Sequence, residues 1–147
     1  MEETSSDVVR VATLNLWGQH GAWDERRSIL VDGLHELHPD IIAFQEAVVA
    51  DEYDQVADLL GVSYHITHQA GRGAEGTGLS IASSWEVREV WEETLHVASR
   101  VGPSEIAVAE ILAPDLSKAC CSPTTTPRGS WASSTSVSCR LWLPRAS

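Results

Sequence analysis

The sequence predicts a layered α/β fold, and three observations lead to this prediction. Residues 8–17 form an apolar run rich in β-branched side chains, which indicates a buried strand. Residues 23–37 carry apolar side chains at helical spacing, which indicates an amphipathic helix. The order strand, helix, strand, helix and then several strands suits helices packed on a sheet better than a simple β-sandwich. The polar residues 1–7 are predicted to be a flexible N-terminus.

The first helix and the second strand have clear limits in the sequence. The apolar stripe of the helix consists of residues 23, 30, 34 and 37. Pro39 prevents the helix from continuing, because proline lacks the backbone N–H that a helix interior needs. Residues 40–44 (DIIAF) are almost wholly apolar and predict a core strand that ends at Gln45 and Glu46.

The following elements are shorter. Residues 52–60 predict a second helix, closed by Gly61, and residues 63–68 alternate as a strand does. Residues 69–78 contain four glycines and predict a mobile loop. This loop is not a phosphate cradle, because no Lys-Ser/Thr pair follows it. Three further strands are predicted, at residues 79–83, 87–97 and 106–112.

Charge and composition limit the class of partner. The net charge is −11, and all 21 acidic residues lie at or before Asp115. A negative surface repels polyphosphate backbones, so a phosphorylated small molecule or nucleotide is favoured over duplex DNA as substrate. The acidic start argues against a signal peptide and no apolar run is long enough to span a bilayer, which favours a cytoplasmic protein.

Asn15 and Glu46 are the candidate chemical residues, because each is a polar residue that ends an apolar strand. A carboxylate at such a position can project from a rigid platform into a cleft. Carboxylate and amide oxygens suit Mg²⁺ or Mn²⁺, whereas the cysteines and histidines of the chain show no such arrangement. The alternative is that both side chains are simply solvated at the ends of their strands.

Three segments carry a family resemblance: RVATLNLWG, PDIIAFQEA and GTGLSIASSWEV. Over about residues 8–112 the chain resembles the opening half of the endonuclease/exonuclease/phosphatase superfamily, the metal-dependent phosphoesterases related to pancreatic deoxyribonuclease. The resemblance implies a partial four-layer α/β/β/α sandwich over residues 8–115. It implies Mg²⁺- or Mn²⁺-dependent hydrolysis of a phosphodiester or phosphomonoester, with Glu46 holding the ion and Asn15 in the same polar cluster as a catalytic and metal-site residue.

The third segment departs from the family pattern. Members commonly show Ser-Arg-(Phe/Trp)-Pro after this strand, whereas the chain has Ser83-Ser84-Trp85-Glu86. The arginine charge and the fixed turn of the proline are both missing, so we expect no substrate contact there.

The histidines and tryptophans have structural interpretations. His35 and His38 lie three apart near a helix C-terminus, where favourable interaction with the helix dipole is a better explanation than metal binding. His65 and His68 lie three apart in a strand and so face opposite sides. The tryptophans of the front segment are predicted to pack in the core or in grooves; they are residues 17, 23, 85 and 91.

Residues 116–147 differ in character from the rest of the chain. They hold all three cysteines and no acidic residue, and they lack the Gly-Asp-Phe-Asn-like and Ser-Asp-His motifs that complete the family's site. Reading their permitted codons in a shifted frame restores acidic residues, so we interpret this segment as a non-homologous, frameshifted tail that can be disordered. The alternative is a genuine tail, in which alternation around Val137 to Leu143 forms an edge strand.

A chain that lacks those motifs lacks the residues that complete the family's catalytic site. We expect it to be nearly inert, because positioned acid–base groups typically add factors of about 10² or more each. The other class of function is a non-catalytic remnant or an interaction module. An incomplete core would also leave apolar surface open to self-association.

Overall fold

The computed structural model of the chain describes residues 8–99, 102–113 and 136–141, and these form a mixed α/β fold. Its strands are β1 (Val11–Asn15), β2 (Ile41–Ala50), β3 (Tyr53–Asp54), β4 (His65–His68), β5 (Thr77–Ser83), β6 (Val87–Ser99), β7 (Gly102–Ile111) and β8 (Ser136–Leu141). Its helices are α1 (Trp23–Leu37) and α2 (Gln55–Leu60), and Ala74–Gly76 forms a single 3₁₀ turn.

The strands form two sheets. The first sheet has the order β1-β2-β5-β4, with β3 added on β2, and β1 runs parallel to β2 while the other pairs are antiparallel. The second sheet has the order β6-β7-β8, with β6 antiparallel and β8 parallel to β7. Because β1 and β2 are parallel and Asn15 pairs with Gln45, the carboxyl end of β1 lies beside the middle of β2.

The core has two parts, one on each face of the first sheet. Alternate side chains of β2 point to opposite faces, as the pleat requires. Ile42 and Phe44 are buried with Trp23 and Leu34 of α1, whereas Ile41 is buried against the second sheet. The inter-sheet part also contains Leu79, Ile81, Ala107, Ala109 and Ile111. The described residues therefore form one helical layer and two sheets, and the fourth layer stays a prediction.

The predicted elements are present, with shifted limits. The first strand was predicted to be buried, but the residues of β1 are exposed or half-buried. The second was predicted to end at Gln45 and Glu46, but β2 continues to Ala50 because the bulge at Glu46 lets it resume pairing with β5.

The second helix begins at Gln55 rather than at residue 52, because the Asp54 side chain caps it by accepting hydrogen bonds from the amides of Val56 and Ala57 at 2.9 and 3.0 Å. The residues before it pair with β2 instead as β3. Neither described helix is long and apolar enough to cross a membrane.

The Gly-rich loop is tied closely to β2. Arg72 donates hydrogen bonds to the carbonyls of Gly76 at 2.6 Å, Leu79 at 3.0 Å, and Ala47. A Cβ atom on Gly76 would lie 2.0 Å from the carbonyl oxygen of Val49, and Gly76 has a φ of +72°. Only glycine permits this close approach.

The tryptophan prediction is confirmed for Trp23 and Trp85, which pack in the two parts of the core, and wrong for Trp17; for Trp91 it stays a prediction. Trp23 is buried, and Trp85 and Trp91 are half-buried. Trp17 is 57% exposed and lies in the loop after β1 with a positive φ of +53°.

Residues 136–141 form β8, which places a strand within the segment interpreted as a frameshifted tail. The origin of that segment stays a prediction, and residues 1–7 lie outside the described residues.

Candidate active site

Asn15, the last residue of β1, meets Glu46 at a bulge in the middle of β2. Asn15 pairs with Gln45 in the parallel register of these strands, and Glu46 is the next residue along β2. The Nδ2 atom of Asn15 donates a hydrogen bond of 3.1 Å to Oε1 of Glu46. The two residues singled out from the sequence are therefore in direct contact.

The backbone of Glu46 is held in a rare conformation. Its φ is +51°, in the left-handed region, and the register of β2 with β5 shifts between Phe44 and Ala47. This bulge turns Glu46 out of the regular alternation of the strand. A non-glycine residue in this region costs about 1–3 kcal/mol, and such strain is concentrated at functional sites.

The loop after β1 fixes this bulge from the other side. The amide of Leu16 donates to the carbonyl of Gln45 at 2.8 Å, and the amide of Gly18 donates to the carbonyl of Glu46 at 2.8 Å. The peptide groups on both sides of the strained residue are thus hydrogen-bonded to the loop that carries Asn15.

The orientation of the Asn15 amide follows from its two partners. Its Oδ1 accepts a hydrogen bond of 2.8 Å from the amide of Trp17, so Nδ2 must be the atom that faces Glu46. In this arrangement Asn15 positions the carboxylate. Direct ligation of an ion by Asn15 stays a prediction. The Oδ1 atom has a second lone pair beside the one that accepts from Trp17, and this lone pair could bind an ion.

The donor set fits a hard cation that keeps most of its waters. Among the described residues, Asn15 alone donates a hydrogen bond to the Glu46 carboxylate, and it does so at Oε1. Within the described ranges, no group of three or more histidine, cysteine, aspartate or glutamate side chains is arranged to hold a metal. Mg²⁺ commonly binds through one or two carboxylates together with water and substrate phosphate, whereas zinc needs three or four protein ligands.

A family model for the endonuclease/exonuclease/phosphatase family matches residues 12–136. The chain belongs to this family. The match begins in β1, includes both Asn15 and Glu46, and ends at the first residue of β8. A comparison with curated proteins finds no match by sequence.

Three of the solved structures similar to the chain match it over part of their length. An AP endonuclease from Archaeoglobus fulgidus matches with 25% identity and a TM-score of 0.44, over 73% of this chain and 42% of that one. A family protein from Leptotrichia buccalis C-1013-b matches with 14% identity and a TM-score of 0.47, over 68% and 54%. ANGEL2, a 2′,3′-cyclic phosphatase solved with adenosine-2′,3′-vanadate, matches with 15% identity and a TM-score of 0.41, over 61% and 33%. The chain thus spans about half or less of the length of these structures.

Thr13 and Gln45 extend the polar cluster of this family member. Gln45 Nε2 donates to the Thr13 hydroxyl at 3.0 Å and to the carbonyl of Ala43 at 3.2 Å. Sequence reasoning gave Thr13 no role, although the signal was present. Thr13 lies two residues before Asn15 in a strand and so shares its face.

Arg26 and Gln55 donate hydrogen bonds to the loop after β1, and sequence reasoning gave neither a role because their partners are backbone groups that no sequence pattern marks. Arg26 donates to the carbonyls of Leu16 at 2.9 Å and His20 at 2.6 Å. The fully buried Gln55 donates to the carbonyl of Gly18 at 2.8 Å and accepts from the amide of Val48 at 2.9 Å. Gln55 therefore joins the loop after β1 to β2, two residues beyond Glu46.

A second network of polar side chains consists of Asp54, His68 and Ser80. His68 contacts Asp54 through Nε2 and the buried Ser80 through Nδ1, each at 2.8 Å. His65 is exposed, which agrees with opposite directions for His65 and His68. Burial lowers the pKa of Arg72, while the charges of Asp54 and Glu92 act against this shift.

His35 and His38 lie at the opposite edge of the first sheet from Glu46. Their rings are 5.2 Å apart, and both side chains are exposed at the C-terminal end of α1. They line a cavity of about 570 Å³ between α1 and α2, together with Tyr64 and Leu59. This cavity is separate from the candidate site.

Proposed function

We propose that this chain provides the metal-holding part of a Mg²⁺-dependent phosphoesterase, which hydrolyses a phosphodiester or phosphomonoester. The observation that carries the proposal is the strained Glu46 in the middle of β2, held by Asn15 at the end of the parallel strand β1. When bound, the ion would polarise a phosphate oxygen and neutralise developing charge. Mn²⁺ fits the same oxygen ligands.

The residues of the chain have distinct roles in this proposal. Glu46 presents one oxygen to the ion while Asn15 fixes the other, so the carboxylate is not free to rotate. Asn15 itself is fixed by the amide of Trp17. The chain's negative charge favours a phosphorylated small molecule or nucleotide over duplex DNA. We place this activity in the cytoplasm, where the three cysteines, an odd number without metal-ligand spacing, stay reduced.

Metal binding is the direct test, because it does not need turnover. Mn²⁺ binding is measured by electron paramagnetic resonance for the wild type, Glu46→Gln and Asn15→Ala. We expect Asn15→Ala to weaken binding about 10- to 100-fold, as loss of an outer-shell partner does, and Glu46→Gln to weaken it more. Glu52→Gln, an exposed control on the turn after β2, should bind as the wild type does. Equal Mn²⁺ binding by wild type and Glu46→Gln would contradict the proposal.

Turnover decides between an enzyme and a non-catalytic module. Mg²⁺-dependent cleavage of bis(p-nitrophenyl) phosphate is compared for this chain and for a version in which the reading frame after residue 115 is restored. Activity in this chain that Glu46→Ala abolishes identifies an enzyme as it stands. Activity only in the restored version, which we expect, assigns the chemistry to the longer form.

A further inference from the structure

Trp17 is a large aromatic side chain exposed beside the candidate site. Its side chain is 57% exposed, although tryptophan is usually buried for most of its surface. It lies two residues after Asn15, and the amide of the next residue, Gly18, is hydrogen-bonded to the carbonyl of Glu46. The exposed ring therefore belongs to the same short loop that holds the proposed metal-binding residue.

The backbone of Trp17 is strained, as that of Glu46 is. Its φ is +53°, a conformation that bulky residues rarely adopt. The hydrogen bond from its amide to Oδ1 of Asn15 stabilises this conformation. Without the positive φ, the side chain would follow a different direction. The network that positions Glu46 thus also sets the direction of the Trp17 ring.

Neighbouring side chains contact the ring, which stays 57% exposed. The imidazole of His20 lies 5.6 Å from the ring at a tilt of 46°, and the guanidinium of Arg26 lies 5.8 Å from the ring centroid. A Cβ atom on Gly21 would lie 3.2 Å from Cζ3 of Trp17, so glycine lets the loop pack against the ring edge. The position of the Arg26 guanidinium beside the ring is fixed, because Arg26 donates hydrogen bonds to two carbonyls of the loop.

We propose that Trp17 is a stacking platform for a nucleobase, so that the phosphate ester bound at Glu46 is a nucleotide. This inference rests on the proposed function, whose substrate class it narrows. A supported, exposed indole next to a phosphate site suits a planar ring attached to that phosphate. Stacking on an aromatic side chain tolerates any base, because every base has a π-face. The Trp17 platform therefore selects for the presence of a base and not for its identity.

The experiment compares two probes that differ only by the base. Calorimetry in Mg²⁺ gives the affinity of the chain for adenosine 5′-phosphate and for ribose 5-phosphate. We expect the wild type to prefer adenosine 5′-phosphate by roughly ten-fold or more, the size of one base–aromatic stack. Trp17→Ala should lose this preference, and Trp17→Phe should keep most of it. Val62→Ala, a fully exposed control away from the loop, should keep it entirely.

The outcomes separate this inference from the proposed function. A wild type without preference, or a preference that survives in Trp17→Ala, overturns the platform. Equal loss in Trp17→Phe and Trp17→Ala also overturns it, because a phenyl ring still stacks. If Glu46→Gln binds Mn²⁺ normally while Trp17→Ala loses the base preference, the platform stands and the phosphoesterase proposal fails.

Discussion

Replacing Gln55 by leucine tests whether the buried amide holds the site loop against β2. The change removes the donor to the carbonyl of Gly18 and the acceptor for the amide of Val48. A buried polar group left without a partner costs about 1–3 kcal/mol. The carbonyl of Gly18 keeps a longer contact of 3.4 Å from Arg26, so its cost lies at the low end. We expect the free energy of unfolding to fall by about 2–4 kcal/mol in total.

Urea denaturation and amide hydrogen exchange measure this effect at two levels. Denaturation gives the change in the free energy of unfolding, and exchange reports on the amide of Val48 directly. We expect Val48 to exchange faster in Gln55→Leu even under conditions where the fold is intact. Gln55→Glu keeps an acceptor for Val48 but repels the carbonyl of Gly18, so it should protect Val48 and still destabilise the loop. A loss below about 0.5 kcal/mol, with unchanged exchange at Val48, would refute the reasoning.

Two further predictions concern the supports of the first sheet. Gly76→Ala should destabilise the chain by more than about 2 kcal/mol, measured by urea denaturation, because its Cβ would overlap the Val49 carbonyl; a loss no larger than that of Gly33→Ala, which has open space, would contradict this. The bidentate hydrogen bonds from Arg27 lower the pKa of Asp58, against the effect of burial. A depressed folded-state pKa stabilises the fold above the ordinary aspartate value of about 4, and this contribution is lost as pH falls through the lower folded-state value. Arg27→Met should therefore flatten the dependence of the urea midpoint on pH in that acid range, and an unchanged pH profile would show that the pair is not coupled to folding.

The polar pair at the sheet edge could be predicted because its signals are local. Asn15 and Glu46 each end an apolar run, and parallel strands bring such ends together. The cap at Asp54 was missed, because the helix predicted over residues 52–60 included Asp54 instead of beginning after it. The sequence reading placed this helix start three residues too early because the short β3 was not recognised.

The bulge and its supports could not be predicted in the same way. The bulge at Glu46 exists because β2 changes register against β5, some 30 residues further along the chain. Gln55 and Arg26 have no sequence pattern that marks them, since their partners are backbone carbonyls in a loop fixed only in the folded chain. The exposure of Trp17 likewise depends on a positive φ that no tryptophan prefers.

In the proposed function, the central position of β2 would couple metal binding to folding. β2 pairs with β1, β3 and β5, and Glu46 adopts its bulged geometry only when these partners are in place. A cation that binds this carboxylate only in the folded state would therefore raise the midpoint temperature of thermal unfolding. At a free-ion concentration 100-fold above Kd the gain is about 2.7 kcal/mol. The metal would then act as a folding clamp as well as a reagent, and a chain depleted of divalent ions would be the more fragile one.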